Sequence, residues 1–290
     1  PTAPGPITFL NNSVDAIYYP TVTSSDANFN RYLIYWDTAP GVTTSSYFAN
    51  SVDDADFSGS SEFNFTKATT TIPNTTYYFK IFAEDDFGHT TSSIESSTTT
   101  IPTNPKAPRF DDSITSTSLY MYWAIGNNPT STVYDVYDVD AATIIATTTA
   151  DGITLTGLTP DTLYTYQVRA RNAENPSVNS GYGASASIRT APYTPNPPTL
   201  AATGTSTLDI SFGAFLNNTS TRYAFYNIET GNHVSTLGFL GSKVSSLVSS
   251  TWGDPVTVNV LDINTAYTFQ TIANNGSGAA TSTDSNTVYT

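Results

Sequence analysis

The run Leu158-Thr159-Pro160-Asp161-Thr162-Leu163-Tyr164-Thr165-Tyr166-Gln167-Val168-Arg169-Ala170-Arg171-Asn172 decides how this chain folds. Pro160 fixes its own φ, and with Asp161 and Thr162 it reads as a turn. From Tyr164 to Ala170 the side chains alternate in character with the period of a strand. The pattern returns in weaker form as Pro73, Thr75, Tyr77, Ile81, Ala83 and as Leu261, Thr265, Tyr267, Ile272, Ala273. Ahead of each copy stands a second mark: Tyr32-x-Ile34-Tyr35, Tyr134-x-Val136-Tyr137 and Tyr223-x-Phe225-Tyr226. Ahead of that again lies an apolar or aromatic strand ending at Tyr18, Trp123 or Phe212. The order never changes, so the sequence is a tandem array of one small β unit.

At 290 residues the chain has room for three units, each large enough to bury a core. Proline-rich segments, Pro102 to Pro108 and Pro192 to Pro198, separate the repeats, and Pro1 to Pro6 has the same character. The expected units are therefore 1–100, 101–190 and 191–290. Proline favours extended geometry, so these junctions should act as semi-rigid spacers and set the units in a rod. Pro1 stands where such a linker would, which suggests a piece of a longer repetitive chain.

Composition supports an all-β reading. Thr, Ser and Asn abound, Tyr and Phe fill many apolar positions, and no stretch keeps a helical period. The net charge of −14, with only 10 basic residues, repels phosphate backbones and argues against nucleic acid. No apolar run is long enough to cross a bilayer. There is no cysteine, hence no disulfide and no thiolate metal site. The acidic, Lys-poor, Thr/Ser/Asn-rich surface points to a secreted or cell-surface microbial protein.

The middle repeat is the most regular. Leu119, Met121 and Trp123 share one strand face, and further strands follow at Tyr134–Val139, Thr143–Thr149, Ile153–Leu155, Tyr164–Ala170 and Ala184–Arg189. The run from Leu158 to Asn172, with Trp123 and Tyr134-x-Val136-Tyr137 upstream, resembles a fibronectin type III domain. That resemblance implies an immunoglobulin-like two-sheet sandwich with Trp123 at its centre. It also implies a tyrosine corner at Tyr164, whose hydroxyl would bond nearby backbone. The outer repeats match more loosely: Tyr18 and Phe212 replace the Trp, Thr71-Ile72 stands where the corner Leu should, and Ile263 replaces the corner Pro. They also carry longer segments between the Tyr strand and the corner, around Gly41 to Ser61 and Gly231 to Asp254.

Candidate chemistry is sparse. His89 and His233 fall in different repeats beside turn residues and read as surface-loop histidines, not as triad members. Asp53-Asp54-x-Asp56 and the set Asp135, Asp138, Asp140 are carboxylate clusters of the kind that can hold Ca²⁺. Neither has EF-hand spacing, and the plainer reading is a solvated acidic loop. No cofactor is expected. Alternation places Tyr77, Phe79 and Ile81 on one strand face and Tyr78, Lys80 and Phe82 on the other. Outward Tyr78 and Phe82 would bind sugar rings, pack on a neighbour or lie under their own loop. Phe239, Leu240, Leu247, Val248 and Trp252 make the third insertion apolar, so it either folds back over its own sheet or docks on another chain, and docking is the expectation. Sequons at Asn11, Asn64, Asn74, Asn217, Asn218 and Asn275 permit glycosylation.

The expectation is a non-catalytic extracellular structural or adhesive protein, self-assembling with like subunits into a surface layer, filament or adhesin. The alternatives are a glycan-binding or spacer region of a secreted polysaccharide-active enzyme and a phage or virion decoration protein. Sandwich modules serve many functions, so the fold does not choose among them.

Overall fold

A computed structural model describes residues 1–9, 17–18, 28–53, 62–63, 71–213, 216–242, 246–248 and 251–290. The described residues form antiparallel sheets and no α-helix, folded as tandem β-sandwiches. In the middle one, Arg109–Phe110, Ser118–Tyr122 and Gly152–Thr156 make one sheet, with Ser118–Tyr122 central. The facing sheet runs Thr143–Thr148, Val133–Asp138, Leu163–Arg171, Ala186–Arg189. Leu119, Met121 and Trp123 point inward and are buried, as their spacing predicts, with Trp123 against Tyr134 at 5.7 Å between ring centroids.

The first and third sandwiches repeat this plan. Ile17–Tyr18 sits between Thr8–Phe9 and Glu62–Phe63, and Thr207–Ser211 between Thr199–Gly204 and Val256–Val258. In every facing sheet the first Tyr of the Tyr strand lies opposite the corner-strand Ala: Tyr32 with Ala83, Tyr134 with Ala170, Tyr223 with Ala273. That shared register puts Tyr32, Tyr134 and Tyr223 in three separate cores. In the first sandwich Tyr77, Phe79, Ile81 and Ala83 are buried on the inner face of strand Thr76–Asp85.

The tyrosine corner is present in all three units. The Tyr164 hydroxyl accepts from the Thr159 N–H at 2.9 Å, Tyr77 from Ile72 at 2.8 Å, and Tyr267 from Asp262 at 2.9 Å. A threonine closing each unit locks the same turn: the backbone N–H of Thr75, Thr162 and Thr265 donates to the hydroxyl of Thr100, Thr190 and Thr290. Ile263 in place of the corner Pro does not disturb the arrangement, because the turn rests on the Thr and Tyr hydroxyls.

The third insertion corrects an expectation. His233–Val234 pairs with the Tyr strand at Tyr226, Leu240–Gly241 pairs onto His233–Val234, and Leu247–Val248 pairs at Arg222 and Tyr223. Trp252 is buried edge-on against Phe225 at 5.1 Å, and its indole N–H donates to the Tyr223 carbonyl at 3.0 Å. The segment folds back on its own sheet and supplies the core Trp that Phe212, packed alongside, does not. Leu240, Leu247 and Trp252 pack into or against the third core, so Trp252 is not a docking residue. Trp252→Ser would cost about 3–5 kcal/mol of stability rather than leave the fold intact.

Candidate functional site at the joints between sandwiches

A repeated set of polar residues lies where one sandwich meets the next. The corner turn of each unit holds an Asn or Asp in the left-handed region: Asn74 at φ 52°, Asp161 at φ 51° and Asn264 at φ 56°. Only Gly, Asn and Asp occupy that region at low cost. An Asn or Asp there also carries a short polar side chain pointing off the end of the sandwich.

At the first joint the Asn74 carboxamide donates to the Thr132 hydroxyl at 2.7 Å and accepts from the Asn172 carboxamide at 3.0 Å. At the second, Asp161 accepts from the Thr221 hydroxyl at 2.7 Å, from the Asn275 carboxamide at 2.7 Å and from the Asn218 N–H. Asn275 also donates to the Thr190 carbonyl at 2.8 Å. Thr132 and Thr221 stand at matching places before their Tyr strands, as Asn172 and Asn275 do after their corner strands. One clasp is thus built twice. Asn74, Asp161, Thr132 and Thr221 are all buried by it.

A second tie holds each linker. Asn128 accepts from the Thr103 N–H at 2.7 Å and donates to its carbonyl at 2.8 Å; Asn217 makes the same pair with Tyr193, at 2.6 and 3.2 Å. A proline-rich segment has few N–H groups of its own, so these bonds fix its course.

The candidates from sequence are scattered around this frame. Tyr78 lines an open cleft of about 330 Å³ at the first joint, with Thr38, Asn74 and Asn172. Phe82 is half-buried, its ring edge-on to Tyr35 at 5.6 Å; Tyr35 in turn meets the exposed Phe48. Phe239 is exposed at a turn, and Leu240 packs partly into the third core. Asn11, Asn64, Asp54 and Asp56 lie outside the described residues. The sequons at Asn74, Asn217 and Asn275 have their carboxamide nitrogens committed, to Thr132, to Tyr193 and Tyr223, and to Asp161 and Thr190. A glycan on any of the three would displace these bonds. Asn218 leaves its nitrogen uncommitted among the described residues.

Asp135 is not part of a solvated acidic loop. It is buried and paired with Arg169 and Arg171 at 3.0 Å each, with a further bond from the Thr147 hydroxyl. Burial pushes its pKa up, but the bonds from Arg171, Arg169 and Thr147 outweigh that and hold it below the usual carboxylate value. Asp138 caps the Ala141 N–H and Asp140 accepts from Thr165. Among the described residues no three His, Asp or Glu side chains gather to hold a metal ion. His89 is exposed and bonded to Asp85, whereas His233 is on a strand, half-buried against Tyr226, and desolvation lowers its pKa. No helix among the described residues is long and apolar enough to cross a membrane.

Sequence reasoning misses the clasp because its members are far apart and of the commonest types in the chain. Alignment of the repeats on their corner Tyr is the signal that finds it: Asn74, Asp161 and Asn264 then fall in one column.

Comparison with known proteins agrees with this frame. Residues 103–180 match the family described as fibronectin type III domain. A stretch of 186 residues is 30% identical to Endoglucanase B of Cellulomonas fimi, taking in 61% of this chain. The chain spans only 17% of that protein's length. The crystal structure of the chicken CNTN1 FN1–FN3 domains aligns over 99% of this chain and 98% of that one, at 15% identity and a TM-score of 0.31. The family match, the shared register and the three tyrosine corners together make this chain a tandem of fibronectin type III-like β-sandwiches.

Proposed function

We propose that the chain is a non-catalytic extracellular spacer, with units 1–100, 101–190 and 191–290, that holds neighbouring parts of a secreted polysaccharide-active protein at a set distance and orientation. The observation that carries this is the repeated clasp. A flexible tether needs no buried hydrogen bonds between its modules, whereas here Asn74 and Asp161 are each buried against the following sandwich. The likeness of 186 residues to part of Endoglucanase B supplies the setting. Self-assembly into a filament or layer is the weaker reading, since Trp252, its chief apolar anchor, is inside the third core.

Small-angle scattering with sedimentation velocity tests the proposal. A monomer whose maximum dimension is constant across salt and concentration is expected. Ordered oligomers at micromolar concentration would turn the reading back to assembly, and an ensemble of many lengths would remove the spacer. Pull-down on insoluble cellulose, with and without Phe82→Ala, separates a spacer from a glycan-binding module.

A further inference from the structure

The third corner turn has the clasp residue with no partner for it among the described residues. Asn264 matches Asn74 and Asp161 in its left-handed φ, in its place before the corner Tyr, and in the Thr that follows and bonds the closing Thr290. Asn74 and Asp161 are buried by the next sandwich, whereas Asn264 is exposed, and its carboxamide makes no hydrogen bond among the described residues. A second observation marks the same pole. Val260, in the place that Gly157 holds in the middle unit, has φ 58°, a conformation rare for a β-branched residue. Val260 is 78% exposed and the neighbouring Ile263 70% exposed. An apolar, conformationally costly loop beside an unfilled polar clasp is a surface made for a partner.

We propose that this pole is a third joint of the same design, whose occupant is a further fibronectin type III-like sandwich with Thr and Asn at the positions of Thr221 and Asn275. Asn264 is of the same type as Asn74, so it would donate to that Thr hydroxyl and accept from that Asn carboxamide, with Val260 and Ile263 covered by the incoming unit. The first sandwich of a second copy does not have this chemistry. Counting from the shared Tyr–Ala pair, Asn30 stands in the Thr place, at a register shift in its strand, and Asp85 stands in the Asn place. The Asp85 carboxylate is already taken by the Phe87 and His89 N–H groups and the His89 ring.

The inference rests on the clasp that also carries the spacer reading, and one experiment separates the two. A second copy of residues 191–290 is appended after Thr290, so that Ala191 follows a closing Thr as it does in the natural chain. The chain has no cysteine, so spin labels go only where placed. Thr149→Cys with Thr236→Cys, both at exposed positions, reports the natural second joint, and Thr236→Cys with its counterpart in the appended copy reports the new one. Pulsed EPR should give equally narrow distance distributions, and Asn264→Gly, which keeps the backbone conformation, should broaden only the new one by about twofold, as a loose linker does. A broad distribution at the new joint with either residue at 264, beside a narrow natural one, overturns the third joint and leaves the spacer reading standing. A broad distribution at both sinks the spacer reading itself. End-to-end oligomers of the unextended chain that Asn264→Gly abolishes would make the occupant a second copy, contrary to the proposal.

Discussion

The two joints share a plan but not a strength. The first is neutral: Asn74 exchanges one bond with Thr132 and one with Asn172, and open clefts of about 330 and 470 Å³ lie beside it. The second is charged. Asp161 accepts three hydrogen bonds from the third sandwich and has the Arg189 guanidinium 3.6 Å away. Bonds to a carboxylate are stronger than those between neutral groups. The carboxylate at this fixed backbone position should therefore make the second joint the firmer of the two.

The largest expected effect on the joints lies in the unit that both share. Asp135→Asn removes the charge facing Arg169 and Arg171 and should cost the middle sandwich about 3 kcal/mol. Both joints then fail together, and denaturant unfolding should show them lost in one transition. The acid dependence has a definite sign. Because the folded pKa of Asp135 is depressed, its contribution is full above the unfolded value of about 3.9 and is lost as pH falls through the lower folded value. In the variant that part of the acid transition should disappear.

The joints themselves come next. Asp161→Gly keeps the left-handed turn and deletes the carboxylate, stranding the buried Thr221 hydroxyl and leaving the Asn275 carboxamide only its bond to the Thr190 carbonyl. Coupling between the second and third sandwiches should fall by about 3 kcal/mol, seen as separation of their thermal transitions. Asn74→Gly removes two neutral bonds and should weaken the first joint by about 1–2 kcal/mol. Equal losses at the two sites would break the comparison. Asp161→Asn sharpens it, since a carboxamide can accept only through its oxygen, and the second joint should then behave like the first.

Much of this architecture is written locally. Alternation in Tyr77, Phe79 and Ile81 gives the core face, and Thr162 with Tyr164 gives the corner, because each depends on residues within one strand or turn. Trp252 misleads for a related reason: an apolar insertion declares that it needs a partner, but its sequence does not say that the partner is Phe225 of the same unit. The clasp joins residues as distant as Asn74 and Asn172 through hydrogen bonds that any Asn can make. Periodicity carries no trace of such a bond. Only the left-handed turn, with its preference for Asn and Asp, leaves a mark, and that mark appears once the repeats are aligned.

The smallest effect tests packing rather than polarity. A Cβ on Gly278 would lie 3.1 Å from the Ala191 Cβ, where the loop after the third corner strand crosses the linker. Neither group has a flexible end that can turn aside, so Gly278→Ala should push the linker by a few tenths of an ångström. The cost should be about 1 kcal/mol or less of coupling at the second joint, and nothing at the first. The Asp161 bonds are short and directional, so a shift of that size stretches them without breaking them. Gly278→Ala combined with Asp161→Gly should therefore cost less than the sum of the two, because a joint already released has no fixed geometry for the methyl group to strain. Strict additivity would mean that the close approach of Gly278 to Ala191 and the Asp161 clasp hold the sandwiches independently.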